Sequence, residues 1–176
     1  MSEELLGKGK IPTQIITAGP NEKRKANIED SFIRMIMSAK KNIFIQTPYF
    51  TPDEGFYTAL KLASYSGVKI KIIIPRDWDK FYMKAASFEF ARELCQEGVS
   101  FYLYPGFIHS KMITVDGKIS SIGTTNIDER SLSLHFEQNV FFYDRKFCLE
   151  CEEIFRKDLA QSREVDQCYY NKKPLI

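Results

Sequence analysis

The chain of 176 residues is 44% apolar and 27% charged, with only nine Gly and seven Pro, a composition that excludes disordered, collagen-like and low-complexity classes. A domain of that length buries roughly 70% of its unfolded surface, enough for a core without staples. The formal charge of +2 gives no argument for nucleic acid as a partner, and no stretch approaches the ~18 consecutive apolar residues of a membrane span.

The opening MSEELLGKGK lacks the apolar region of a signal peptide, so the chain as it stands is expected to be soluble. TQIITA (13–18) predicts a strand ended by Gly19-Pro20. A helix from Asn21 to Lys41 is predicted by the stripe Ile28, Phe32, Met35, Ile36 and Ala39, followed by a buried strand over 42–47. Thr51-Pro52-Asp53-Glu54 reads as a capping box with Pro at the first helical position. Phe56, Ala59, Leu60 and Ala63 then give that helix an apolar face, and Gly67 stops it. VKIKIII (68–74) is the next strand, and Pro75 ends it.

Beyond a polar loop with Arg76, Asp77, Trp78 and Asp79, a third helix is predicted with Phe81, Ala85, Phe88, Ala91 and Cys95 inward and Gly98 as its stop. VSFYLY (99–104) returns as a strand. The rest reads as strand, turn at Asp116-Gly117, strand, a helical turn over 128–134, a strand over 136–143 and a helix over 146–162. Strands that first alternate with helices and then run as hairpins indicate an α/β layer fold with a mixed sheet. No internal repeat or linker divides the chain; residues 1–10 and 166–176 read as tails around one domain at 11–165.

Fourteen Phe, nine Tyr and one Trp suit either a Phe-rich core or a set of exposed rings near a lipid surface. Of the four cysteines, Cys148 and Cys151 form a C-x-x-C pair with no second pair to complete a zinc tetrad. Their segment reads as a helix with Phe147, Cys151, Ile154, Phe155 and Leu159 on one face. With Cys95 and Cys168 they are expected to be reduced thiols without a metal or redox role.

The chemistry concentrates in HSKMITVDGKISSIGTTNIDERS, residues 109–131. On a strand, His109 and Lys111 point to one face, and Thr124 and Asn126 repeat the spacing after the Asp116-Gly117 turn. A hairpin would bring the two pairs together as an imidazole, an ammonium, a hydroxyl and a carboxamide. That set holds a nucleophile and hydrogen-bond donors but no carboxylate cage for a metal, so no cofactor is expected.

His109, Lys111, Asp116, Gly123, Thr124 and Asn126 reproduce a spacing that resembles the catalytic motif of the phospholipase D superfamily, with Thr124 where Ser is usual. Such a match arises by chance on the order of once in a hundred thousand chains of this length. IQTPYFTPDEGF, YPGFIHSK and GTTNIDERSL are similar to the C-terminal catalytic half of bacterial cardiolipin synthases, over about residues 12–165. The resemblance implies a phospholipase D-like mixed sheet flanked by helices on both faces. Those enzymes carry two copies of the motif and this sequence one, so it resembles a fragment or a single-copy relative.

His109 is then the expected nucleophile, since a neutral imidazole can attack phosphorus and form a phosphohistidine. Lys111 would offset phosphoryl charge, and Thr124 and Asn126 would donate to phosphate or orient Lys111. By resemblance, Glu137 accepts from the other nitrogen of the His109 ring and fixes its tautomer, while Asp116 and Gly123 support the loop. His135 reads as surface or packing. The implied reaction moves a phosphatidyl group from one phosphatidylglycerol to another, giving cardiolipin and glycerol. The implied setting is a membrane surface, cytosolic side, with the other motif supplied by an N-terminal half or a homodimer partner. The rival is a single-motif nuclease or phosphodiesterase acting as a homodimer; the near-neutral charge and the run Asn126, Asp128, Arg130, Ser131 favour the lipid enzyme.

Overall fold

A computed structural model describes residues 10–19, 28–133 and 135–165. Its elements run β1 (Thr13–Ala18), α1 (Ile28–Met37), β2 (Asn42–Gln46), β3 (Phe50–Thr51), α2 (Glu54–Tyr65), β4 (Lys69–Pro75), α3 (Phe81–Gln96) and β5 (Ser100–Tyr104). There follow β6 (Met112–Val115), β7 (Ile119–Gly123), β8 (Ile127–Asp128), α4 (Glu129–Ser133), β9 (Glu137–Phe142), α5 (Arg145–Gln161) and β10 (Arg163–Val165).

Eight strands form one sheet in the order β1-β9-β7-β6-β2-β4-β5-β10, and β3 and β8 make a separate parallel pair. β2, β4 and β5 run parallel, each joined to the next by a crossover that includes a helix, whereas β6, β7, β9 and β1 pair antiparallel. Both faces of the sheet are covered. Ile43, Ile45, Ile72, Ile74, Phe101 and Ile113 meet Phe32 and Ile36 of α1, Phe56 and Leu60 of α2 and Leu94 of α3. On the other face Phe44, Ile73 and Met112 meet Cys151 and Phe155 of α5, and Phe44 stacks on Phe155 at 4.7 Å between ring centres. A fully buried Phe or Ile contributes about 1.5–3 kcal/mol relative to exposure. This is the mixed α/β sheet, helices on both faces, that the motif's resemblance implied.

Several boundaries shift for local reasons. α1 ends at Met37 rather than Lys41, because the backbone N–H groups of Lys40, Lys41 and Asn42 turn to the Asp116 carboxylate at 2.8, 2.8 and 2.9 Å. The residues predicted to open that helix, 20–27, lie outside the described residues. Asp53, not Thr51, caps α2: its carboxylate accepts from Phe56 N at 2.9 Å, so Pro52 stands before the cap and Thr51 pairs in β3. In α3 the buried line is Ser87, Ala91 and Leu94, and Phe81 is 77% exposed. In α5 it is Cys148, Cys151, Glu152 and Phe155, with Ile154 turned outward. Pro75 is the last residue of β4 rather than its stop, and β10, which the sequence reading missed, pairs with β5 at the sheet edge. Cys95, Cys148 and Cys151 are free thiols, and burial pushes the last two above the ordinary cysteine range; Cys168 lies outside the described residues.

Candidate active site

Ligands of open α/β sheets collect at the carboxyl edge of the parallel strands, where loops converge. β6 begins at that edge, since Met112 pairs with Gln46 at the end of β2. The loop into β6 leaves β5 at Tyr104 and turns through Gly106, whose φ of +110° a side chain would strain. Arg76 N donates to Tyr104 O at 2.9 Å and Asp77 N to Gly106 O at 3.2 Å, which fastens the loop to the end of β4. His109 is exposed in this loop, with its ring stacked on Phe107 at 5.8 Å between centres.

His109 and Lys111 therefore precede β6 instead of sharing its face. Lys111 Nζ donates to the His109 carbonyl at 3.0 Å, so the ammonium folds back on the histidine's own backbone. Between them Ser110 Oγ donates to Gln46 Oε1 at 3.2 Å, and Gln46 Nε2 donates to Asp158 Oδ2 of α5 at 2.6 Å. Burial lowers the Lys111 pKa, against the pull of the Glu137 and Asp128 carboxylates.

The hairpin expected from Asp116-Gly117 forms, with positive φ at both residues (55° and 59°). Its register sets Met112 against Ile122, and Gly123 N donates to Lys111 O at 3.4 Å. Thr124 to Asn126 thus leave the sheet beside Lys111. Thr124 N donates to Gln138 O at 3.0 Å, its hydroxyl accepts from Gln138 N at 2.9 Å, and that hydroxyl donates to Glu137 Oε2. Asn126 Nδ2 donates to Ser131 Oγ at 3.3 Å, while its Oδ1 is buried without a partner. Asp128 accepts from Ser131 N at 2.8 Å and so holds the start of α4.

The structure thus brings His109, Lys111, Thr124, Asn126 and Glu137 to one edge, though not with every expected contact. Neither Thr124 nor Asn126 hydrogen-bonds Lys111. Glu137 meets Thr124 and lies 3.9 Å from His135 Nδ1, and no hydrogen bond joins it to His109. His135 thereby stands closer to the site than the sequence suggested. Asp116 sits at the far end of β6, where its three backbone donors belong to residues 40–42.

Residues that the sequence reading missed include Gln46, Asp158, Tyr49 and Asn139. Tyr49 OH donates to Asp79 at 2.6 Å, and burial with that carboxylate pushes the phenol up to about 12, so it stays protonated. For Gln46 and Asn139 the one sequence signal is a polar side chain inside an apolar strand or at its end, as in NIFIQ and EQNVFF. Among the described residues, no group of three His, Cys, Asp or Glu side chains could hold a metal ion, and no helix is long and apolar enough to cross a membrane.

Residues 32–159 match the family model described as "Cardiolipin synthase, PLD-like domain". Cardiolipin synthase 1 of Staphylococcus epidermidis is 43% identical over 169 residues, covering 96% of this chain and 34% of that protein. The cardiolipin synthase of Listeria welshimeri is 39% identical over 170 residues, covering 96% of this chain and 35% of that protein. The chain therefore spans about a third of the length of the curated relatives it matches. Among solved structures, the phospholipase D family member Nuc from Salmonella typhimurium superposes with a TM-score of 0.75 at 21% identity, covering 89% of this chain and 99% of that one. The phosphatidylserine synthase of Haemophilus influenzae gives a TM-score of 0.73 at 14% identity, covering 93% of this chain and 42% of that one. These two likenesses concern the fold; kinship rests on the sequence matches, by which the chain belongs to the family of phospholipase D-like domains of cardiolipin synthases.

Proposed function

We propose that this domain supplies one half-site of a cardiolipin synthase and works by phosphatidyl transfer. A ring nitrogen of His109 attacks the phosphorus of phosphatidylglycerol, the P–O bond to glycerol breaks, and glycerol leaves with a proton from a second acid. A hydroxyl of another phosphatidylglycerol then gives its proton to that same group and attacks phosphorus. The P–N bond breaks, releasing cardiolipin and free His109. Lys111 holds charge on the phosphoryl oxygens, and the Thr124 hydroxyl and Asn126 amide are the neighbouring donors.

The observation that carries this reading is the meeting of the two halves of the motif across the β6–β7 hairpin, where Gly123 N donates to Lys111 O. The second acid is the histidine of another motif copy, from an N-terminal half or a second subunit. Its lipid substrates place the whole enzyme at the membrane, with this domain on the cytosolic side. Phe107 and Phe136, 46% and 74% exposed beside His109 and Glu137, support the approach of this edge to lipid.

The deciding experiment is His109→Ala in an assembly that holds both motifs, with cardiolipin formation from phosphatidylglycerol as the readout. Turnover should vanish while the melting temperature stays, because the exposed ring contributes little to the core. A folded mutant of near wild-type activity would overturn the mechanism. Hydrolysis of nucleic acid that weakens steeply with salt would favour the homodimeric nuclease instead.

A further inference from the structure

The G-T-T-N segment poses a problem that its own side chains do not solve. Thr124 and Thr125 are identical in size and chemistry, yet one is exposed beside Glu137 and the other is 2% exposed. A slip of one residue would exchange them and move Asn126 with them. Something outside the segment must select the phase.

Asn139 of β9 lies opposite Gly123 in the sheet and is 1% exposed. Its Nδ2 donates to Ser121 Oγ at 3.1 Å, and its Oδ1 accepts from Thr125 N at 3.3 Å. One carboxamide thus bridges the residues on either side of Gly123, the point where the chain leaves the sheet. The bridge passes so close that a Cβ at Gly123 would lie 2.4 Å from Asn139 Oδ1 and 2.3 Å from the Gln138 carbonyl oxygen. This gives the motif glycine its physical reason. Glu137, two residues earlier and on the same face of β9, takes the Thr124 hydroxyl.

From this geometry we infer that Asn139 is a positioning residue of the reaction: it holds Thr125 inward and so fixes Thr124 and Asn126 toward the phosphoryl group. The inference rests on the phosphatidyl-transfer reading for what the loop does, but not for how the loop is held. A carboxamide is needed because it accepts and donates at once. Alanine does neither; a carboxylate accepts but has no proton for Ser121, and a neutral carboxylic acid does both. Burial raises a carboxyl pKa, which brings that neutral form into an accessible pH range.

The test compares Asn139→Ala and Asn139→Asp with the wild type. Amide hydrogen exchange on the 176-residue chain should show the Thr125 N–H exchanging at least tenfold faster in N139A, while Thr114 and Ser120 in the hairpin keep their protection. In the two-motif assembly, kcat should fall on the order of 10–100-fold with KM little changed, as small misplacements of reacting groups do. The activity of N139D relative to wild type should recover as pH falls toward 5, whereas the N139A ratio stays flat. Unchanged Thr125 exchange in folded N139A, unchanged kcat, or N139D tracking N139A at every pH would each overturn the inference. Should N139A fail to fold, N139D near pH 5 supplies both readouts. If the wild-type assembly forms no cardiolipin, the function reading falls, and the exchange measurement alone decides whether Asn139 holds the loop.

Discussion

Lys111 stands in an environment unlike that of an exposed strand lysine. A half-buried ammonium beside a hydrogen-bonded carbonyl loses its proton more readily than a lysine in water, because burial penalises the charged form. The pH profile of kcat/KM, which reports the free enzyme, should therefore show an alkaline limb below the ordinary lysine value of about 10.4. Lys111→Arg should lower the rate yet remove that limb, since a guanidinium stays charged there. A limb that persists unmoved in the arginine variant belongs to another group. Glu137 makes a second case. Its carboxylate accepts from the Thr124 hydroxyl, so the proposed role of orienting His109 requires phosphate to take over that hydroxyl. Glu137→Gln should then cost on the order of 10²–10⁴ in kcat with little change in KM, as loss of an imidazole's orienting carboxylate does. A mutant impaired only in KM would place Glu137 in substrate binding instead.

At the scale of elements, the β6–β7 hairpin joins the chemistry to the scaffold, and its two ends do different work. The edge near His109 carries the site. At the other end Asp116 ties α1 to β2 through three backbone N–H groups. Burial would raise its pKa, but those donors outweigh burial and hold the carboxyl below the usual aspartate range. The native state thus binds this proton less readily than the unfolded chain, so the contribution to stability is present above about pH 3.9 and lost as pH falls through the folded value. Asp116→Ala loses the acceptor and also places alanine at a φ of 55°, for a combined cost of about 2 kcal/mol. Denaturant titration should show that loss, with a smaller one for Asp116→Asn, which tolerates the same backbone. Equal losses in both variants would mean that the charge, not the turn, carries the effect.

At the scale of the whole molecule the decisive feature is what one domain lacks. Phosphoryl transfer through histidine needs a group to protonate the leaving alkoxide, and in the proposed reaction a second motif provides it. The isolated chain as a monomer should be folded but essentially inactive. If it dimerises about a two-fold axis that brings two His109 rings together, activity per chain should fall on dilution through the dimer dissociation constant. A separately expressed N-terminal half should restore it. Sedimentation and activity measured at the same concentrations check this, and robust turnover by a demonstrated monomer would defeat it.

The sequence by itself determined whatever rests on local periodicity and spacing. The alternation of strands and helices, the turn at Asp116-Gly117 and the six motif positions depend on residue types a few places apart, and the hairpin follows from them. Tertiary structure decided the rest, because those choices depend on partners far along the chain. α1 ends where Asp116, some 75 residues later, draws off its following N–H groups. The α3 stripe rotates so that the Ser87 hydroxyl oxygen accepts from the Phe50 backbone N–H at 3.0 Å, leaving Phe81 in solvent. The site shows the same division. His109 and Lys111 are legible as a pair, but the loop that carries them, the Glu137 contact with Thr124 and the Asn139 bridge to Thr125 arise only when β9 is laid beside β7. A buried polar side chain satisfies its hydrogen bonds wherever the fold brings a partner, and sequence spacing does not encode that distance.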